Sequence, residues 1–397
     1  MRIKVLILLI LIASCYCDVE FSERPRNFSI ELLYHTQKQT GGHVVISPFG
    51  IWTLMTGLAV GATGDSFEQL KVAFILPRSL KTVVSGYKDL TKSVLQRKSD
   101  GVTLTSKNFL FADDDFLLKP AFMQTITDKF DATVKILDFK NSDEAAAKAN
   151  SFIQNSGARV TNVLSAEDFE QSRMILTNVI SFKGLWTSPF NASHTTVEDF
   201  YNENKEVIGK VNMMHKKGEF PLANMIDLKS FVSELTYGTD AAYSMLVILP
   251  HPAIKVEEVY KTLEKITIPD IIAKLQEDEN DYGLDEVEIK LPRFKISTNI
   301  VMNRPLNDMG VYDIFDPEYA SFSRATNESI YVSAIVHKAD IEVSETGTVA
   351  SAVSTAYLSN RFGTTRLIAD RPFLYFIIEK STATVIFAGI YSKPSLY

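Results

Sequence analysis

The sequence predicts an α+β fold with large, covered sheets. Two observations carry this. Segments with helical spacing dominate the first half of the chain, whereas most of the β-branched and aromatic runs bounded by turn residues lie in the second. Many of those runs are apolar on both faces, so both faces of the sheets should be covered. No linker, repeat or composition break suggests a boundary, so residues 18–397 are expected to form one domain.

The helical half begins at Asn27 to Gln37, with Asn27 as the expected cap and Phe28, Ile30, Leu32 and Leu33 on one face. Phe49 to Val60 is apolar almost all round and should be a buried helix. Thr63 to Phe74, Thr82 to Gln96, Pro120 to Phe130 and Ser142 to Asn155 follow, with Pro120 suited to a first turn. Gly57, Gly61 and Gly64 fit close packing and a helix end better than a phosphate loop. Strands are expected at Val102 to Phe111, Met174 to Phe182, Phe231 to Tyr237, Tyr243 to Leu249, Val287 to Leu291, Ile330 to Val343, Phe373 to Ile378 and Val385 to Ile390.

The first residues have the layout of a secretory leader. Arg2 and Lys4 precede the apolar run Val5 to Ala13, and small residues lead to an expected cut after Cys17. The run is too short to span a bilayer, and no second long apolar run follows, so no membrane anchor is expected. Cys15 and Cys17 are the two cysteines of the chain, so the exported form would carry no disulfide. Its size permits a large core without crosslinks. Asn27, Asn191 and Asn327 begin N-glycosylation triplets in such a chain.

The formal charge is −7, and loss of Arg2 and Lys4 would deepen it by two. This argues against nucleic acid as a partner. Lys88, Lys92, Arg97 and Lys98 form a modest basic group, read as a solvated helix face. Enzyme signatures are missing: there is no G-x-S-x-G turn and no H-E-x-x-H helix, and the six histidines are scattered. No catalytic residue, metal or cofactor is therefore assigned.

The segment from Glu345 to Arg371 stands out. No charge occurs from Thr346 to Asn360, and no proline until Pro372. Exposed loops favour polar residues and proline. Thr348, Ala350, Ala352 and Ser354 are small and share one side of an extended chain; Val349, Ser351, Val353 and Thr355 share the other. Such a chain can join a sheet without placing a charge inside it. Gly347 supplies a hinge with no Cβ. On period alone, an ordinary buried strand from Ile341 to Ser354 fits equally well.

The wider pattern resembles the serpin family. Ser47-Pro48-Phe49 precedes an apolar helix, then come Gly61-Ala62-Thr63-Gly64 and Gln69. Asn178-Val179-Ile180-Ser181-Phe182-Lys183-Gly184-Leu185-Trp186 follows with Phe190 and Phe200, then Met213-Met214 and Met245-Leu246-Val247-Ile248-Leu249-Pro250. Leu291-Pro292-Arg293-Phe294-Lys295, His337-Lys338-Ala339, Pro372-Phe373-Leu374 and Phe387-Ala388-Gly389 complete it. The resemblance implies three β-sheets, about nine helices and an exposed reactive loop at about residues 345–371. It implies a secreted, monomeric suicide substrate that a serine protease acylates, and whose cleaved loop then inserts into the central sheet.

On this resemblance Glu345 opens the hinge, and the cut bond falls sixteen residues later, at Arg361–Phe362. Counting back from Pro372-Phe373 gives the same bond. The Arg361 guanidinium suits trypsin-like proteases, whose pocket holds a carboxylate. Arg366–Leu367 is the alternative bond. Phe362 is bulky where the family often has a small residue. Ser47, Asn178 and His337 are expected to hydrogen-bond beneath the central strands, and Trp186 to lie where the loop first inserts. The chain departs from the family pattern at Gly50, where a serine is common, and at Val349 and Ser351, where glutamate and alanine are common. A non-inhibitory carrier, storage or binding role is the alternative function; the small, uncharged hinge argues for inhibition.

Overall fold

The computed structural model describes residues 24–157, 160–284, 286–347 and 365–397. Its helices are α1 (Arg24–Thr40), α2 (Pro48–Ala59), α3 (Gly64–Ala73), α4 (Leu80–Leu95), α5 (Pro120–Phe130), α6 (Ser142–Asn155), α7 (Val256–Leu263), α8 (Ile268–Tyr282) and α9 (Asn303–Asp308). The strands of the first part are β1 (Val44–Ile46), β2 (Val102–Asp113), β3 (Ala132–Leu137), β4 (Met174–Gly184), β5 (Thr196–Tyr201), β6 (Val207–Glu219) and β7 (Leu222–Met225). Those of the second are β8 (Ser230–Tyr237), β9 (Tyr243–Pro250), β10 (Glu286–Pro292), β11 (Phe294–Val301), β12 (Ala334–Val343), β13 (Thr365–Ile368), β14 (Phe373–Glu379) and β15 (Thr384–Tyr391).

The strands form three sheets. A six-stranded sheet runs β1-β15-β14-β9-β8-β7, a four-stranded one β13-β10-β6-β5, and a five-stranded one β11-β12-β4-β2-β3. The five-stranded sheet is covered on both faces. Period two divides its side chains: Phe109, Phe111, Ile175, Val179, Ala334 and Val336 pack with α6 through Ala145, Ala149 and Ile153. Leu110, Leu176, Ile180, Ile335, Ala339 and Ile341 turn to the main core. There α2 lies wholly buried, started by Ser47 as cap and Pro48 in the first turn.

β4 and β12 are parallel neighbours, paired from Ala334↔Ile175 to Asp340↔Ser181. No strand stands between them. β4 runs on to Gly184 and β12 to Val343, so the pairing stops before either strand does.

Several sequence-based expectations are corrected. Asn27 lies inside α1, which is already helical at Arg24, so it is not the cap. The run Ile330 to Val343 becomes a strand only at Ala334: Val332 donates to Ile314, outside the sheet, and the pairing with β4 begins from Ala334. The second half is not all strand: α7 sets Val259, Tyr260 and Leu263 on one buried face, and α8 opens with a Thr267–Asp270 capping box. The short β1, β3, β5, β7 and β13 and the longer β6 and β11 lie outside the expected strands.

Candidate functional site

Two clusters frame the β4–β12 seam. The lower one lies on its core face. His337 and Asn178 are register partners across the seam, and both are fully buried. The Ser47 backbone N–H donates to His337 Nε2 at 2.8 Å. The Ser47 hydroxyl donates to the Ile386 carbonyl at 2.6 Å and accepts from the Gly50 N–H at 3.0 Å, tying the helix cap to the six-stranded sheet. Burial pulls the His337 pKa down to about 3, against a smaller upward pull from a backbone hydrogen bond with Asn178. A neutral ring is what an acceptor Nε2 requires.

The Asn178 amide points across β4 to β2, donating to Asn108 Oδ1 at 2.8 Å and Ser106 Oγ at 3.3 Å. Asn108 in turn donates to Thr53 Oγ1 of α2 at 3.1 Å. The three residues expected from the sequence therefore meet, but as two branches: Ser47–His337, and Asn178–Asn108–Thr53. Gly50 explains the departure from the family pattern. A Cβ there would lie 2.3 Å from Asn178 Oδ1, so the amide fills the space that a side chain would need.

The upper cluster sits where the β4–β12 pairing ends. Trp186 is buried and stacks on Tyr237, with ring centroids 4.1 Å apart and an interplanar angle of 15°. Its indole N–H donates to the Ser344 carbonyl at 2.8 Å, and its backbone N–H to Thr346 at 3.3 Å. Residues 344–347 form a turn in which the Gly347 N–H donates to Ser344 O at 3.1 Å and the Ser344 hydroxyl to Gly347 O at 2.6 Å. Gly347 has φ +83°, and a Cβ would lie 2.2 Å from Gly184 O and 2.5 Å from Trp186 N. Both the dihedral and the contact demand glycine.

Glu345, buried, anchors this turn. Its carboxylate accepts from Thr195 Oγ1 at 2.7 Å and pairs with Arg293 at 3.3 Å, while its carbonyl accepts from the Phe190 N–H at 2.7 Å. Three anchors thus fix the residue from which the next segment departs.

Thr348, Ala350, Ala352, Ser354, Arg361 and Phe362 lie outside the described residues. Arg366, of the alternative bond, lies in β13, paired in parallel with β10 and bonded to Glu288 at 2.9 Å; Leu367 beside it is fully buried. That bond is already committed to a sheet. Asn191 and Asn327 are exposed. Asn108, Thr53, Thr195 and Tyr237 escaped the sequence reading, and Arg293 was noted only within its block. Each is polar or aromatic with no local period to mark it, and acts through a partner at least 51 residues away.

A family model described as Serpin (serine protease inhibitor) matches residues 23–394. Human leukocyte elastase inhibitor is 30% identical over 384 residues, covering 94% of this chain and 100% of that protein. The protein Iris from Ixodes ricinus is 30% identical, covering 94% and 98%. A solved structure of native protease nexin-1 with heparin is similar at TM-score 0.81 and 26% identity, covering 94% of this chain and 99% of that one. Serpin48 of Tenebrio molitor, at TM-score 0.78 and 24% identity, covers 94% and 98% and shares the fold.

Proposed function

The chain belongs to the serpin family, and from that premise we propose that it is a secreted suicide-substrate inhibitor of trypsin-like serine proteases, acylated at Arg361. The observation that carries the reading is the seam: β4 and β12 are parallel, adjacent and open at one end, and a glycine-hinged turn sits at that end.

The protease serine attacks the Arg361 carbonyl carbon. An ester forms, the Arg361–Phe362 bond breaks, and the new amine of Phe362 leaves with a proton. Freed of its C-terminal tether, the segment after Gly347 can turn back between β4 and β12. A strand there runs antiparallel to both. One slanted parallel ladder is replaced by two antiparallel ones, which are more stable per residue. The small, uncharged residues Thr348, Ala350, Ala352 and Ser354 add no clash and no desolvated charge.

Length sets the outcome for the protease. From Gly347 to Arg361 an extended chain rises about 45 Å, at about 3.3 Å per residue. β4 has 11 residues, about 35 Å on the same rise. Full insertion therefore carries the acylated Arg361 past the far end of β4, and the bound protease meets that end of the molecule.

The relatives' names include elastase, but Arg361 favours a pocket that holds a carboxylate. Secretion is proposed on the leader-like residues 1–17, and the exposure of Asn191 and Asn327 supports glycosylation there. Mixing the protein with trypsin should give an adduct that survives a denaturing gel. Cleavage without adduct would contradict inhibition.

A further inference from the structure

The hinge anchor reaches one residue further than Arg293. Arg293 lies between β10 and β11, fixed by its own N–H on the Asn212 carbonyl at 2.8 Å. Its guanidinium has two engaged arms. Nη1 holds Glu345 Oε1 at 3.3 Å, and Nε donates to the Tyr397 main-chain oxygen at 2.6 Å. That oxygen also accepts from Asn212 Nδ2 at 2.8 Å. The planar guanidinium keeps both arms in one rigid fork, so whatever fixes Nε also aims Nη1.

The segment that delivers Tyr397 is itself tied down. After β15, the Ser392 and Lys393 N–H groups donate to His43 Nδ1 at 3.2 and 3.1 Å, and the Ser392 hydroxyl donates to Gly42 O at 2.8 Å. Pro394 lies over Gly209 of β6, where a Cβ would come within 2.5 Å of Pro394 Cγ. The chain then reaches Tyr397, which is 39% exposed and adds little to the core.

We propose that Tyr397 is a positioning residue for the hinge: its main-chain oxygen, held by Asn212, aims the Arg293 fork at Glu345 and so keeps the β4–β12 seam closed in the uncleaved protein. The proposal rests on the reading of Glu345 as the start of an inserting strand. Without Tyr397 the guanidinium is free to turn to solvent, Thr195 is then the one side-chain partner of Glu345 among the described residues, and the seam opens more readily.

The test uses a synthetic peptide with the sequence of residues 348–360, whose uptake into the uncleaved protein reports seam opening. No protease is present, so a protein that forms no adduct with trypsin can still pass or fail. A chain ending at Leu396 should take up the peptide about fivefold faster, the fold-change of one net hydrogen bond, at an unchanged urea midpoint. Asn212→Leu should do the same by releasing the Tyr397 oxygen. Arg293→Gln should accelerate uptake, and removing Tyr397 in that background should add nothing. Unchanged uptake in the shortened chain overturns the proposal. So does acceleration that merely tracks a fall in the urea midpoint, or an effect of Tyr397 removal that persists in Arg293→Gln.

Discussion

Gly347 and His337 show how single residues set the seam. At φ +83°, with Gly184 O in the path of any Cβ, Gly347 has no tolerated substitute. Gly347→Ala should lower the unfolding free energy by about 1–3 kcal/mol from the dihedral and displaced contact, and should shift the product with trypsin from adduct to cleaved protein. Urea unfolding and a denaturing gel check the two effects. His337 makes a prediction about pH. Its folded pKa, about 3, lies below the ordinary histidine value of 6.5, so the unfolded chain binds more protons between the two. Its stabilising contribution is complete above pH 6.5 and is lost as pH falls toward 3. The urea midpoint should fall across that window, and less so in His337→Asn. An identical fall in the variant would assign the effect to other groups. The sequence named both residues, Gly347 for its missing Cβ and His337 as a buried ring in need of a partner. It could not show that Gly50 leaves room for Asn178, because that is a contact between segments 128 residues apart.

Elements were legible to different depths. α5 and α6 have the bounds their spacing predicts, and α2 differs by one residue at each end; Pro48 and Pro120 mark the first turns of α2 and α5, and α6 buries the periodic face Ala145, Ala146, Ala149 and Ile153. β6 escaped because Lys210, Lys216 and Lys217 interrupt it and much of its surface is exposed; pairing with β5 and β10 makes it a strand. β11 alternates buried and exposed residues from Phe294 onward, a half-buried pattern easily lost beside the fully apolar runs. The Asn178–Asn108–Thr53 chain couples β4, β2 and α2. Asn108→Ala should cost about 1–3 kcal/mol, since it takes from the buried Asn178 amide its shorter hydrogen bond and leaves it the longer one to Ser106. The expected result is a lower urea midpoint together with faster spontaneous conversion to a heat-resistant form. A stability loss without faster conversion would mean that the network holds the core and does not govern the seam. Thr348→Arg addresses the inserting strand: a buried guanidinium would block it, turning the protein into a substrate that is cleaved at the same bond.

At the scale of the whole molecule, the proposed inhibition draws on free energy stored in the uncut protein. On the proposed mechanism, residues 348–360 supply a further strand between β4 and β12 once the loop is cut, and a kinetic barrier delays that step in the uncut protein. Arg361→Ala should leave the fold and urea midpoint unchanged and abolish adducts with trypsin. The two candidate bonds predict different products, and of the two only the Arg366–Leu367 bond lies among the described residues, paired into β13. The decisive measurement is the mass of what leaves and what stays when the protein meets trypsin. The account predicts that denaturing the adduct frees a fragment 362–397, beginning at Phe362, from an SDS-stable species in which trypsin is esterified to Arg361, and that before denaturation the cleaved protein, with this fragment still seated in the six-stranded sheet, resists heat better than the uncleaved one. A fragment beginning at Leu367, or cleavage that leaves free trypsin and no gain in heat resistance, would contradict it.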